Sequence, residues 1–102
     1  MISRLLAEAA SEKDAEEMSL LLHKEVNAFL DANPNLRKTV LYTRHDAAPV
    51  KRIRGKSRFH VLIKLMNTES AKAVTDFATD LADTRRSSVC DVYFELNPAT
   101  MV

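Results

Sequence analysis

The chain has 102 residues, 46% apolar and 28% charged, with one glycine and three prolines, so it suits one folded domain over 1–102 and excludes a disordered tract or two separate cores. The net charge of +1 conceals a partition: residues 1–33 carry three basic and seven acidic side chains, residues 34–66 nine and one, and residues 67–102 three and six. One-signed density of that kind in the middle third suits a polyanion, although such charges can also simply solvate an exposed hairpin.

Residues Ile2 to Ala10 mix helix-favouring Leu and Ala, but Ser11 followed three residues later by Asp14 is a capping pattern that begins a new helix. The stretch 2–10 is therefore expected as a strand. From Glu12 to about Ala32, Ala15, Met18, Leu22, Val26, Phe29 and Leu30 recur at spacings of three and four, which predicts an amphipathic helix. Glu12, Asp14, Glu16 and Glu17 crowd its first turns, where they favour the positive end of the helix dipole. Pro34 disfavours helical geometry at Asn33 and ends it.

Leu36 to Arg44 is rich in β-branched and aromatic residues and reads as a second strand. Pro49 lacks a ladder donor, so 45–50 is expected as an edge irregularity or bulge before pairing resumes near Val50 to Arg54. Gly55, the only glycine, falls where two strands must turn with a positive φ. Beyond it, Phe59, Val61, Ile63 and Leu65 alternate with Arg58, His60, Leu62 and Lys64, which predicts a strand with the first set buried. Asn67, Thr68 and Ser70 offer caps for a second helix carrying Val74, Phe77, Ala78 and Leu81 on one side. A last strand places Cys90, Val92, Phe94 and Leu96 on one face and Asp91, Tyr93 and Glu95 on the other, and Asn97-Pro98 closes it.

The order βαββαβ buries best as an α+β fold: a four-stranded antiparallel sheet with both helices on one face, the split βαβ or ferredoxin-like arrangement. Such a fold decides no function by itself. The functional candidate is Pro49 to Met66, which holds Lys51, Arg52, Arg54, Lys56, Arg58 and Lys64, with no acidic residue between Asp46 and Glu69. These six are the expected nucleic-acid-backbone contacts, positioning a strand by charge without reading its bases. Phe59 is expected to face the core, which leaves Tyr42 as the nearest stacking candidate. The aromatic third-strand signature of an RNA-recognition module is missing.

No catalytic residue, cofactor or metal is expected. His23, His45 and His60 are dispersed, and nothing proposes a nucleophile within their reach. Cys90 is the sole cysteine, which excludes an internal disulfide and a cysteine-based zinc centre, and its apolar neighbours suggest a buried thiol. Asp76 and Asp80, one helical turn apart, lack a third ligand. No apolar run approaches the roughly 20 residues that span a bilayer and no signal-peptide pattern is present, so a cytoplasmic protein is expected.

The segment from Pro49 to Lys64 resembles the C-terminal domain of the bacterial primosomal replication-restart helicase PriA. The family pattern runs Pro, a small gap, Arg, Gly followed by a basic residue, then Tyr-Arg-aromatic and an aliphatic run ending in a basic residue. Here Pro49, Arg52, Gly55, Lys56, Arg58, Phe59, Val61-Leu62-Ile63 and Lys64 match it in register, and Glu95, Leu96, Asn97 and Pro98 resemble the family's closing strand. Ser57 stands where the family prefers Tyr, so a base-stacking role there does not carry over; Phe59 stands where Trp is common. The Pro-Pro-aromatic approach to the first strand is absent.

The resemblance implies a fold similar to a βαββαβ small-subunit ribosomal protein. It also implies a domain, excised or stand-alone, that helps a helicase hold branched or single-stranded DNA, beside single-stranded DNA-binding protein and other primosome components. It implies no helicase activity here, because the phosphate-cradling G-x-x-x-x-G-K-[ST] loop is missing. The competing expectation is a docking domain whose basic hairpin packs on helicase lobes or another acidic partner.

Overall fold

A computed structural model describes residues 1–98 and 101. Along the chain the elements are β1 (Ile2–Ala9), α1 (Glu12–Ala32), α2 (Pro34–Arg37), β2 (Val40–Ile53), β3 (Lys56–Leu65), α3 (Ala71–Arg85) and β4 (Cys90–Leu96). The strands form one antiparallel sheet in the order β2-β3-β1-β4. This is the ferredoxin-like arrangement expected from the sequence.

The alternation of β1 and β3 sends Leu5, Ala7, Ala9, Phe59, Val61, Ile63 and Leu65 to one face. There they meet Leu22, Val26 and Leu30 of α1 and Val74, Ala78 and Leu81 of α3 in a single core. Ser11 begins α1 as expected, its Oγ accepting from the Asp14 N–H at 3.3 Å. Cys90 and Val92 are buried in the same core, whereas Leu96, at the end of the edge strand, is 49% exposed.

Two expectations need correction. Leu36 and Arg37 do not begin β2; Pro34 occupies the first position of a helical turn, a place that suits its fixed φ, and the N–H groups of Leu36 and Arg37 donate to the Asn33 carbonyl. The strand starts only at Val40. The side-chain caps expected for α3 are also not used: Ser70 has helical dihedrals and makes no capping bond. The chain enters α3 through a turn in which Ala71 and Lys72 donate to the carbonyls of Thr68 and Glu69.

Pairing between β2 and β3 breaks between Ala47↔Phe59 and Arg52↔Ser57. Four residues, Ala48 to Lys51, thus oppose Arg58 alone. This is the bulge that Pro49 requires, since the proline sits where no ladder donor is needed.

Among the described residues the second face of the sheet carries no helix, and it is laid out in rows across the strands. Glu95, Arg4, Leu62 and Arg44 form one row; Tyr93, Leu6, His60 and Asp46 the next; Asp91, Glu8 and Arg58 the third. Arg4 is only 1% exposed and grips Glu95 through two hydrogen bonds of 2.9 and 3.1 Å.

Candidate functional site

The hairpin tip follows from two residues. Ile53 pairs with Lys56, and Arg54 and Gly55 between them have φ values of 53° and 77°. Two consecutive positive φ angles are those of a two-residue type I′ turn, whose twist matches the flanking strands. A Cβ on Gly55 would meet nothing within 4 Å, so the requirement for glycine is conformational rather than steric. Arg54 holds a left-handed conformation that disfavours a side chain of its type. Asn or Asp would suit it better, and the chain keeps a cation instead.

Arg52 braces the turn. Its Nη1 donates to Ser57 Oγ at 2.6 Å and its Nη2 to the Gly55 carbonyl at 2.8 Å, while the side chain stays exposed. Lys51 and Arg54 are likewise exposed. Among the described residues, Lys51, Arg52 and Arg54 form no ion pair. They make a compact positive ridge.

The other three sequence-identified cations are placed differently. Arg58 is 4% exposed; its Nε donates to Glu8 at 2.7 Å and its Nη1 to the Val50 carbonyl at 3.0 Å. It therefore staples the bulge to the sheet, satisfying a carbonyl that the ladder leaves out. Lys56 donates to Asp91 at 2.7 Å, and that hydrogen bond, with the aspartate charge, raises its pKa. Lys64 lies at the far end of β3, roughly 26 Å from Lys56 at the usual rise per residue. Its Nζ stands 6.0 Å from the centre of the Tyr42 ring. Sequence reasoning missed Glu8 and Asp91 as partners, and only the strand register reveals them.

On the side facing the helices, the ridge borders an open groove of about 390 Å³ lined by Glu12, Glu16, Ala47, Lys51, Arg52, Ser57 and Phe59. One wall is acidic and the other basic, and no ion pair joins them among the described residues. Glu12 and Glu16 thus lower the potential at Lys51 and Arg52 without blocking them.

The histidines are built into the fold. His45 Nε2 lies 2.6 Å from Ser19 Oγ, and Ser19 also donates to the Glu16 carbonyl at 2.9 Å. The hydroxyl proton is thereby occupied, so the imidazole donates to the serine rather than activating it. His23 meets Thr43 at 3.1 Å, and burial, with His45 nearby, lowers its pKa. His60 Nδ1 lies 3.5 Å from Arg4 Nη1; a guanidinium can only donate, so this nitrogen accepts and the ring is neutral. Burial and the Arg4 charge push its pKa down to about 4. Burial and the carboxylates of Asp91 and Asp14 push the Cys90 thiol up to about 11. No group of three His, Cys, Asp or Glu side chains that could hold a metal occurs among the described residues. No described helix is long and apolar enough to cross a membrane.

No family model and no curated protein matches this chain. Among solved structures, a de novo designed protein with ferredoxin fold, determined by solution NMR, is similar at 14% identity and a TM-score of 0.42, over 96% of this chain and 86% of that one.

Proposed function

We propose that this chain is a DNA-binding accessory domain of a cytoplasmic primosomal replication-restart helicase, holding the backbone of branched or single-stranded DNA on the tip of the β2–β3 hairpin. The observation that carries this reading is the ridge of Lys51, Arg52 and Arg54, exposed and without ion pairs among the described residues around a two-residue turn. Of the other cations on the open sheet face, Lys64 has only the Tyr42 ring at 6.0 Å, and the rest are matched to carboxylates: Arg4 to Glu95, Arg44 to Asp46, Lys56 to Asp91 and Arg58 to Glu8. A cation kept at the unfavourable φ of Arg54 supports a role for charge at that point.

Under this reading Lys51, Arg52 and Arg54 neutralise phosphates, Lys56 and Lys64 contribute at the margins, and Arg58 holds the bulge that presents the ridge. Base preference is not expected, because charge contacts to phosphates carry no sequence information. Single-stranded DNA-binding protein and other primosome components are partners by the resemblance of Pro49 to Lys64 to that family, and the chain itself carries out no catalysis.

The test is titration of labelled single-stranded and forked DNA at two salt concentrations. Three phosphate contacts give a slope of log affinity against log salt of about −2 for single strands. Charge reversal of Lys51 and Arg54 to Glu should remove binding and leave the fold intact, because exposed charges contribute little to stability. Failure to bind DNA even at low salt would favour a hairpin that docks on an acidic protein surface.

A further inference from the structure

The groove beside the hairpin holds charges of both signs that the fold leaves unused. Glu12 and Glu16, one turn apart on α1, form its acidic wall, and Lys51 and Arg52 of β2 form its basic wall; Ala47, Ser57 and Phe59 complete the lining. All four charged side chains are exposed, and among the described residues none of them is in an ion pair. Their sequence neighbours differ: Glu17 meets Lys13 at 3.9 Å and Lys56 meets Asp91 at 2.7 Å. Two carboxylates thus stand across an open groove of about 390 Å³ from two cations without meeting them.

An occupant of the groove has to answer both walls. A polyanion suits Lys51 and Arg52 but meets like charge at Glu12 and Glu16, and a basic segment has the reverse conflict. A surface with both signs in equal number is complementary to itself. A two-fold axis running along the groove sets the acidic wall of one copy against the basic wall of the other, and repeats the contact in reverse. Apolar side chains flank these charges: Leu20, one turn beyond Glu16 on α1, is 51% exposed, and Val50, next to Lys51, is 40% exposed. Pro49 and the bulge spoil the outer ladder of β2, so such a contact is made by side chains rather than by strand pairing.

We propose that the start of α1 and the β2 bulge form the interface of a two-fold dimer of this chain, in which Glu12 and Glu16 of each copy pair with Lys51 and Arg52 of the other. Lys51 and Arg52 also belong to the proposed DNA contact, so the dimer and the DNA-bound chain exclude each other. Self-association is measured without DNA, and either reading can fail alone.

The experiment is sedimentation velocity of the 102-residue chain over a concentration series. The unmodified chain should pass from monomer to dimer, and the association should weaken about tenfold between about 50 and about 500 mM salt, because four exposed ion pairs fade with screening. Two variants locate the interface, with far-UV circular dichroism as the check of folding. Glu12→Lys with Glu16→Lys makes both walls basic. Lys51→Glu with Arg52→Gln makes both walls acidic or neutral, and the glutamine amide can still donate to the Gly55 carbonyl that Arg52 braces. Each variant alone should stay monomeric, and an equimolar mixture of the two should form the dimer again, since the mixed pair sets opposite signs together at both contacts. A monomeric wild-type chain at every concentration would overturn the proposal. So would association that ignores salt, a variant that dimerises as well as the wild type, or a mixture of the folded variants that stays monomeric.

Discussion

Acidification offers a direct test of the packing beneath the open face, because His60 is 3% exposed and its Nδ1 faces the Arg4 guanidinium. The unfolded chain protonates this ring near 6.5, whereas burial and the Arg4 charge hold the folded pKa at about 4. Between those values the unfolded state binds more protons, so stability falls as pH falls through the window and levels off below about 4. At about 1.4 kcal/mol for each unit of difference, the full loss is about 3 kcal/mol, and about 2 kcal/mol has gone by pH 5. His23, also lowered, acts in the same direction, so the contribution of His60 is isolated by comparison with His60→Gln. Urea unfolding at pH 7 and pH 5 should show the wild-type chain losing about 2 kcal/mol more than the variant. Equal losses in the two proteins would refute the assignment of a neutral His60 held beside Arg4.

Other expectations separate binding from stability. Arg54→Asn should raise stability by about 0.5–1 kcal/mol, since Asn tolerates the left-handed turn position, and should weaken DNA binding; urea unfolding and DNA titration read the two effects. Glu12→Gln with Glu16→Gln should strengthen DNA binding at low salt, with the gain shrinking as salt rises. Cys90 should resist thiol reagents at pH 8, where a pKa of about 11 leaves only about one thiolate in a thousand; rapid native-state labelling would contradict its burial. Arg58→Ala should destabilise the fold by about 3 kcal/mol or more in urea, because it strands Glu8 and the Val50 carbonyl.

The features legible in the sequence were those whose causes lie close together along the chain. Gly55 required a positive φ, and the alternation from Phe59 to Leu65 declared its own buried face. Ser11 and Asp14 marked the start of α1, and with it the strand nature of the preceding residues, against the helical propensity of Leu5, Leu6 and Ala7. The start of β2 was not legible. Leu36 and Arg37 could continue into a strand by propensity, yet Pro34 and the Asn33 carbonyl close a helical turn first. Capping of α3 failed for a related reason: Asn67, Thr68 and Ser70 are all capable, but backbone carbonyls met the first donors instead.

The six cations show where local reading runs out. Lys51, Arg52, Arg54, Lys56, Arg58 and Lys64 are equivalent as sequence, but their fates depend on carboxylates far away in the chain. Glu8 lies 50 residues from Arg58 and Asp91 lies 35 from Lys56, and both are brought near only by the pairing of β1 with β3 and β4. Parity and register then sort the charges. On the open face of β3, Arg58 and Lys56 meet Glu8 of β1 and Asp91 of β4, and Lys64 meets Ile2 and Tyr42 instead; Lys51 in the bulge and Arg54 in the turn have no paired residue to supply a carboxylate. A charge reversal at Arg58 and one at Arg54 therefore test different links of the same chain. The first should unfold the bulge, and with it the platform for the ridge, while the second should leave the fold in place and remove a phosphate contact. If both variants stayed folded and lost DNA binding alike, the division between structural and binding cations drawn from the strand register would be wrong.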